Sequence, residues 1–214
     1  LVRSRGLGDV YKRQLMALLT ANNQSMTAIT ALPSAVAKGG LVLLETQTAS
    51  SSDAISFTSN IDSTYKEYIF KFTNIHPATN SANLSFNMSI DAGSNYNVTK
   101  TNTSFRSVQT EDATTTALGY RSDYDLAQAT GFQPLGDANS NDNDSALAGE
   151  LHLFNPSSTT FVKHFTAVTS HIAGQAKEYF TAGYGNTTSA VDAIQFKMSS
   201  GNIDAGTFKL YGVT

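Results

Sequence analysis

A strict alternation of apolar and polar side chains is the feature that most constrains how this chain can fold. It is clearest in ANLSFNMSID (82–91), where Leu84, Phe86, Met88 and Ile90 are each separated by one polar residue. An extended strand sends successive side chains to opposite faces, so a period of two places one face on a core and the other in water. The segment is therefore predicted to be a half-buried β-strand.

The same period recurs along most of the chain after residue 40. The predicted strands are 41–48, 53–59, 66–75, 82–91, 146–154, 160–170, 178–184, 193–199 and 206–213. Turn-forming clusters such as HPATNSAN and NPSST separate them. About ten short strands at intervals of roughly 8–15 residues favour an all-β antiparallel β-sandwich, of jelly-roll type, over a βαβ fold.

Residues 106–143 interrupt this pattern, because their apolar residues follow neither the strand period nor the helix period. A short helix near 124–129 and one or two irregular edge strands are both compatible with the segment. A long insertion on a β scaffold is often where ligands bind, although the segment is equally compatible with a plain surface loop.

Two segments precede the predicted domain. Residues 1–14 contain GLGDVYKRQ, which resembles a translated sequencing adapter from environmental assemblies, and they are predicted to be non-native. In residues 15–39, Met26, Ile29 and Leu32 follow one another at a spacing of three, as on one helical face. This helical or extended segment is predicted either to dock the subunit on a larger assembly or to be a flexible leader. Residues 40–214 form the predicted sandwich domain.

Composition excludes several classes of function. The chain has no cysteine, which excludes a disulfide scaffold, a Cys-ligated zinc site and thiol catalysis. Its formal net charge is −3 and becomes −6 without residues 1–14, so nucleic-acid binding through phosphate contacts is not expected. No apolar run approaches the ~20 residues that span a bilayer, so membrane insertion is not expected either.

Motifs for catalysis are missing from the sequence. It contains neither the G-x-S-x-G of a nucleophile elbow nor the G-x-x-x-x-G-K-[ST] of a phosphate-binding loop. His164 and His171 are seven residues apart, which on a strand puts them on opposite faces, so a site with several histidine ligands is not indicated. The chain is therefore predicted not to be an enzyme and to need no cofactor.

The acidic loop DANSNDND is the best candidate for a cation site. Asp137, Asn139 and Asn141 have the spacing of the first three ligand positions of an EF-hand, but Asp142 stands where that motif requires glycine. Asp137, Asp142 and Asp144 are therefore the candidate ligands for Ca²⁺ in an irregular loop. The alternative is a solvated turn rich in Asn and Asp.

Tyrosines are the candidate ligand-binding residues. Tyr120, Tyr124, Tyr179 and Tyr184 lie in or near irregular segments. Exposed tyrosine among Asn, Ser and Gly supplies an adaptable contact surface for sugars or proteins. The alternative is that these tyrosines fill half-buried sheet positions, as the β propensity of tyrosine predicts.

A resemblance narrows the expected role. The stretches SMTAITALPSAV, ETQTASSSDAISFTSNIDSTYKEYIFKFTNIHPAT and SSGNIDAGTFKLYGV resemble proteins of marine tailed bacteriophages, mostly within 24–90 and 191–213. The resemblance implies a virion structural protein with a β-sandwich: a tail-fibre, appendage or capsid-decoration subunit at the virion surface. It also implies other virion subunits as partners, a homotrimer by analogy, and contact with host-surface glycans. A free carbohydrate-binding module or a bacterial adhesin domain is the alternative.

Overall fold

The computed structural model describes residues 40–137, 139–172 and 174–214. The strands in these ranges are β1 (Leu41–Ser52), β2 (Ile55–Phe57), β3 (Glu67–Pro77), β4 (Leu84–Ser89), β5 (Lys100–Thr110), β6 (Thr116–Tyr120), β7 (Gln133–Pro134), β8 (Leu147–Phe154), β9 (Lys163–Ile172), β10 (Gln175–Gly185), β11 (Ala193–Met198) and β12 (Ile203–Val213). A short 3-10 helix covers Ser122–Tyr124. The predicted segments 1–14 and 15–39 lie outside the described residues. No helix in the described part of the chain is long and apolar enough to cross a membrane.

The strands form two antiparallel sheets. The large sheet has eight strands in the order β1-β12-β3-β8-β9-β10-β5-β6, and the small sheet has four in the order β2-β11-β4-β7. Apolar side chains from both sheets meet in one buried core. The prediction of an all-β antiparallel sandwich is confirmed, and each of the nine predicted segments contains a strand.

Eight of the strands follow the chain path of a jelly roll. In that subset the large sheet is β1-β12-β3-β8 and the small sheet is β2-β11-β4-β7. Successive strands from β1 to β4 alternate between the two sheets, and β11 and β12 return beside β2 and β1. This order is two interlocked Greek keys, the topology of a jelly roll.

The four remaining strands extend the large sheet beyond β8. Strands β5 and β6 are inserted between β4 and β7, and β9 and β10 are inserted between β8 and β11. Both insertions add to the same edge, which gives the run β8-β9-β10-β5-β6. Residues 106–143 thus contain the end of β5 and the strands β6 and β7. Of the two alternatives for this segment, the helix near 124–129 is absent, since the short 3-10 helix ends at Tyr124. The edge strands are present, because β6 and β7 each form the edge of a sheet.

Aromatic side chains dominate the core of the jelly-roll half. Phe196 of β11 lies at the centre, with its ring centroid 5.3 Å from that of Phe208 and 5.6 Å from that of Phe70. The ring centroids of three more phenylalanines lie 5.9–6.4 Å from that of Phe196: Phe57, Phe72 and Phe86. Each such side chain removes a large apolar area from water, and tilted or edge-on ring pairs add a further favourable term.

The polar face of β4 is covered, which differs from the prediction that it faces water. All six residues of β4 are buried. The side-chain amide of Asn87 donates hydrogen bonds to the backbone oxygens of Tyr96 at 2.6 Å and Thr130 at 2.9 Å. Loop backbone therefore takes the place of water at Asn87, and this side chain holds the loops that lie over the strand.

The extension of the large sheet has a polar inner face. Lys100, Asn102 and Ser104 of β5 point inward and are buried, as does Thr181 of β10. The ammonium group of Lys100 donates to the side-chain oxygen of Asn87 and, at 2.8 Å, to the backbone oxygen of Val98. Burial lowers the pKa of Lys100 to about 7. Residues 121–145, which we call the insertion from here on, cover this part of the sheet through polar contacts.

Candidate functional site

The side of the large sheet that turns away from the small sheet, which we call the outer face, is largely uncovered. Strand β9 shows how the chain produces it, because buried and exposed residues alternate along its entire length. Strand β10 lies between β9 and β5 and pairs with both of them without a break in register. Directly opposed residues share a face, so the exposed side chains of these three strands form one surface.

An apolar row crosses the outer face. Phe105 of β5 is the cross-strand partner of Phe180 of β10, and their rings stack with centroids 4.9 Å apart and planes 11° apart. Val168 of β9 is opposite Phe180, and Tyr120 of β6 is opposite Phe105. We call these four residues the aromatic row. Phe105 is 45% exposed and Tyr120 is 62% exposed.

The row belongs to a larger concentration of exposed apolar groups. Ten large hydrophobic side chains are exposed among the described residues, and five of them lie on the outer face of β5, β6 and β9: Phe105, Leu118, Tyr120, Val168 and Ile172. Soluble proteins rarely expose a contiguous apolar patch of this kind unless it contacts a partner or ligand. The outer face is therefore the candidate functional surface.

A shallow depression of about 420 Å³ lies beside the aromatic row. Its floor includes the short side chains of Thr103, Thr166 and Ala182. His164 and Tyr184 stand at its far end with ring centroids 6.3 Å apart. The hydroxyl of Tyr184 accepts a hydrogen bond of 3.3 Å from the amide of Gln128. Hydroxyl, amide and imidazole groups around an apolar floor suit a ligand that has both a C–H face and hydroxyl groups.

The four candidate tyrosines fall into two separate places. Tyr120 and Tyr184 lie on the outer face, at the aromatic row and at the depression. Tyr179 points to the inner face, is 1% exposed, and packs against Tyr124 with ring centroids 6.1 Å apart. Since the sheet separates the two pairs, the four side chains do not form a single binding site.

Tyr124 and Tyr179 belong instead to a cluster around Asp137, which we call the Asp137 cluster. The carboxylate of Asp137 accepts hydrogen bonds from Arg106 and, at 2.9 Å, from the hydroxyl of Tyr124. The ammonium group of Lys177 lies 3.5 Å from the same carboxylate. Arg106 also donates to the hydroxyl of Tyr179 at 3.0 Å. Burial is the largest cause that raises the pKa of Tyr124, to about 12, and it raises the pKa of Tyr179 as well.

His171 ties the same insertion to β9. Its Nδ1 lies 2.7 Å from Oδ1 of Asn139, and its Nε2 lies 3.0 Å from the hydroxyl of Thr169. That hydroxyl donates to the backbone oxygen of Leu135 at 2.5 Å. Burial, with a smaller contribution from Lys177, lowers the pKa of His171 to about 4. Burial thus favours the uncharged imidazole, and the contacts of its two ring nitrogens tie the insertion to β9.

The three candidate calcium ligands do not share one site. Asp137 faces the cationic groups of Arg106 and Lys177, an environment that opposes binding of a further cation. Asp142 is exposed and accepts a hydrogen bond from Ser140 at 2.5 Å. Within residues 40–137, 139–172 and 174–214, no three His, Asp or Glu side chains form a group that could hold a metal ion.

Phe105 and Phe180 are the functional candidates that sequence reasoning missed. A signal for Phe180 was present, since it lies within a predicted strand, but a phenylalanine in a strand is ordinarily assigned to the core. Strand β5 itself was not predicted, so nothing indicated that Phe105 would stand beside Phe180.

No protein-family model, no curated protein and no solved structure matches this chain.

Proposed function

We propose that this chain is a structural subunit of a tailed-bacteriophage virion and is displayed on the tail or capsid surface. Two observations support the proposal: the sequence resemblance over 24–90 and 191–213, and a jelly-roll sandwich, an architecture common among viral capsid and lectin domains. Its partners are other virion subunits, and no catalytic step is part of the proposal.

We further propose that the outer face of this subunit contacts host-surface glycans. The single observation that carries this step is the stacked and partly exposed pair Phe105–Phe180 beside a depression lined by Thr103 and Thr166. An aromatic side chain packs against the C–H face of a sugar ring, and neighbouring hydroxyl groups bond to its hydroxyls. Tyr184 and His164 supply further polar groups at the far end of the depression.

A glycan array tests the recognition step. The protein is expected to bind a defined set of bacterial surface polysaccharides on the array, and Phe105→Ala is expected to weaken that binding about tenfold or more. Phe161→Ala is the matched control, because Phe161 is 68% exposed and lies between β8 and β9, outside both the aromatic row and the depression. If the protein binds no glycan on the array, or if both variants lose binding equally, the proposed contact of the outer face with glycans is wrong.

A free carbohydrate-binding module or a bacterial adhesin domain is the second candidate, because the same surface would serve it. The two candidates differ in where the protein is found. Mass spectrometry of purified phage particles is expected to detect the chain at a fixed copy number relative to the major capsid protein. Detection only in a bacterial secretome or cell-surface fraction would favour the second candidate.

A further inference from the structure

Strand β6 is an edge strand without the features that usually prevent edge-to-edge association. It forms the outermost strand of the large sheet, and all five residues from Thr116 to Tyr120 are exposed. The sequence from Thr114 to Tyr120 contains no charged residue and no proline. Its pairing with β5 shows no shift of register. An edge of this kind presents a row of unpaired backbone groups to any strand that approaches.

The three other sheet edges of the described structure do carry such features. Strand β1 has a register shift between Leu43 and Glu45, a bulge that interrupts the regular ladder at this edge. Strand β2 has only three residues. Strand β7 has two, one of which is Pro134. Since short length, charge, proline and bulges are the usual devices that protect an edge, β6 stands out as the edge that is left open.

The hydrogen bonds of β6 show which backbone groups face outward. The backbone N–H of Arg121 donates to Ser104 at 2.9 Å, and the backbone N–H of Thr110 donates to Thr115 at 3.0 Å. Residues 115 and 121 thus direct their backbone groups toward β5, and in an antiparallel ladder so do 117 and 119. The backbone groups of Thr116, Leu118 and Tyr120 therefore point toward the open edge.

From this geometry we infer that two copies of the chain pair through β6 in an antiparallel, two-fold symmetric arrangement. Leu118 lies opposite Leu118 of the second copy, and Thr116 lies opposite its Tyr120. This register pairs all three outward-facing residues of each strand, whereas a shift by two residues would leave one unpaired. No charged side chain falls within the paired stretch, so no like charges are brought together.

A second copy is the occupant that fits best for two reasons. In an isologous contact both copies use the same surface, so that surface must complement itself. The edge of β6 is uncharged and has three outward-facing residues. A two-fold rotation about the central one, Leu118, therefore gives each of the three a partner on the second copy. In addition, Leu118 is 75% exposed on the same face as Phe105 and Tyr120. The pairing covers Leu118 with its symmetry mate and continues the apolar surface of one copy into the other.

The dimer has a consequence for ligand binding, and this step alone depends on the proposed glycan contact. The two large sheets join into one, and both outer faces look in the same direction. The two Phe105 side chains lie three strand spacings apart across the joined sheet and four residues apart along the strands. Together these offsets correspond to a distance of roughly 20 Å. Two aromatic rows at this distance on one surface bind a repeating polysaccharide with higher avidity than one row does.

Sedimentation and light-scattering measurements on the full chain at micromolar concentrations test the pairing without any ligand. The wild-type protein is expected at twice the chain mass of 22.8 kDa. Leu118→Lys is expected to raise the dimer dissociation constant about 100-fold or more, because it places two ammonium groups on the symmetry axis. Leu43→Lys is the matched control: Leu43 is 52% exposed on the opposite edge strand, and its substitution is expected to leave the dimer intact.

A backbone variant distinguishes strand pairing from simple apolar contact. Leu118→Pro removes an N–H that faces the open edge, so the ladder between β5 and β6 is preserved and circular dichroism is expected to be unchanged. The dimer is expected to dissociate all the same. A wild-type monomer or homotrimer would overturn the inference, as would a dimer that survives both Leu118 variants.

Cross-linking tests the register directly, since the chain has no native cysteine. Opposed residues in a bonded antiparallel pair have Cα atoms about 5.5 Å apart, within the range that a disulfide bridges. Leu118→Cys is therefore expected to form a covalent dimer on mild oxidation. Thr116→Cys is the control, because four residues, or about 13 Å, separate it from its own symmetry mate. Equal cross-linking of both variants, or none of Leu118→Cys, would contradict the proposed register.

Discussion

Gly136 lies directly against the imidazole of His171, so closely that a β-carbon at position 136 would stand 1.9 Å from Nε2. Gly136 precedes Asp137 in the insertion, and His171 belongs to β9 of the large sheet. The contact therefore marks where the insertion is seated on the inner face of the extended sheet. Only a residue without a side chain allows the backbone to approach the ring to this distance.

Substitution of Gly136 is expected to weaken the seating of the insertion. Gly136→Ala forces either the insertion or the buried His171 to move, at an expected loss of about 2 kcal/mol in the free energy of unfolding. Gly131→Ala is the matched control, because a β-carbon there meets no atom within 4 Å. Urea unfolding followed by circular dichroism measures both variants. An unchanged stability of Gly136→Ala would show that the insertion adjusts without cost.

The charge of Asp137 is expected to matter more than that of its neighbours in the acidic loop. Asp137→Asn leaves Arg106 and Lys177 without their shared anionic partner, and we expect a loss of about 2 kcal/mol in the free energy of unfolding. Asp144→Asn is expected to change stability by less than about 0.5 kcal/mol, because Asp144 is exposed. Chemical denaturation at neutral pH compares the two variants. Equal effects would mean that the Asp137 cluster does not hold the insertion.

Phe196 is expected to be among the most costly core positions to truncate. Its ring packs against five other phenylalanine rings between the two sheets. Phe196→Ala therefore leaves a cavity that several rings border, with an expected loss of about 4 kcal/mol in the free energy of unfolding. Phe161→Ala, at an exposed position, is expected to be nearly neutral. Thermal unfolding of both variants tests the difference.

How much of the fold is predictable from the sequence depends on which kind of side chain faces inward. Where both sheets contribute apolar residues, as in β3, β9 and β12, the period of two identified the strand. Strand β5 has the same alternation, but its inward positions are Lys100, Asn102 and Ser104. A pattern based on hydrophobicity cannot detect a strand whose buried face is polar, and this hid β5 within the extension of the large sheet.

The candidate site was only partly predictable for a related reason. Of the four candidate tyrosines, Tyr120 and Tyr184 lie on the outer face. The side that each residue occupies depends on the register of its strand, which a single sequence does not specify for irregular segments. Asp137 could not be separated from Asp142 and Asp144, because the basic groups that surround it come from strands distant in sequence.

The stability of the protein is expected to fall in mildly acidic solution because of His171. Burial lowers its pKa from 6.5 to about 4 in the folded state, so between these values the unfolded chain binds the proton more tightly. The contribution of this group is thus fully present above pH 6.5 and is lost as the pH falls toward 4, by about 3 kcal/mol in total. Urea unfolding at a series of pH values measures the slope. His171→Gln is expected to remove most of this dependence, whereas His164→Gln, at an exposed position, is expected to retain it. A wild-type profile that is flat between pH 4 and 7 would show that folding does not lower the pKa of His171.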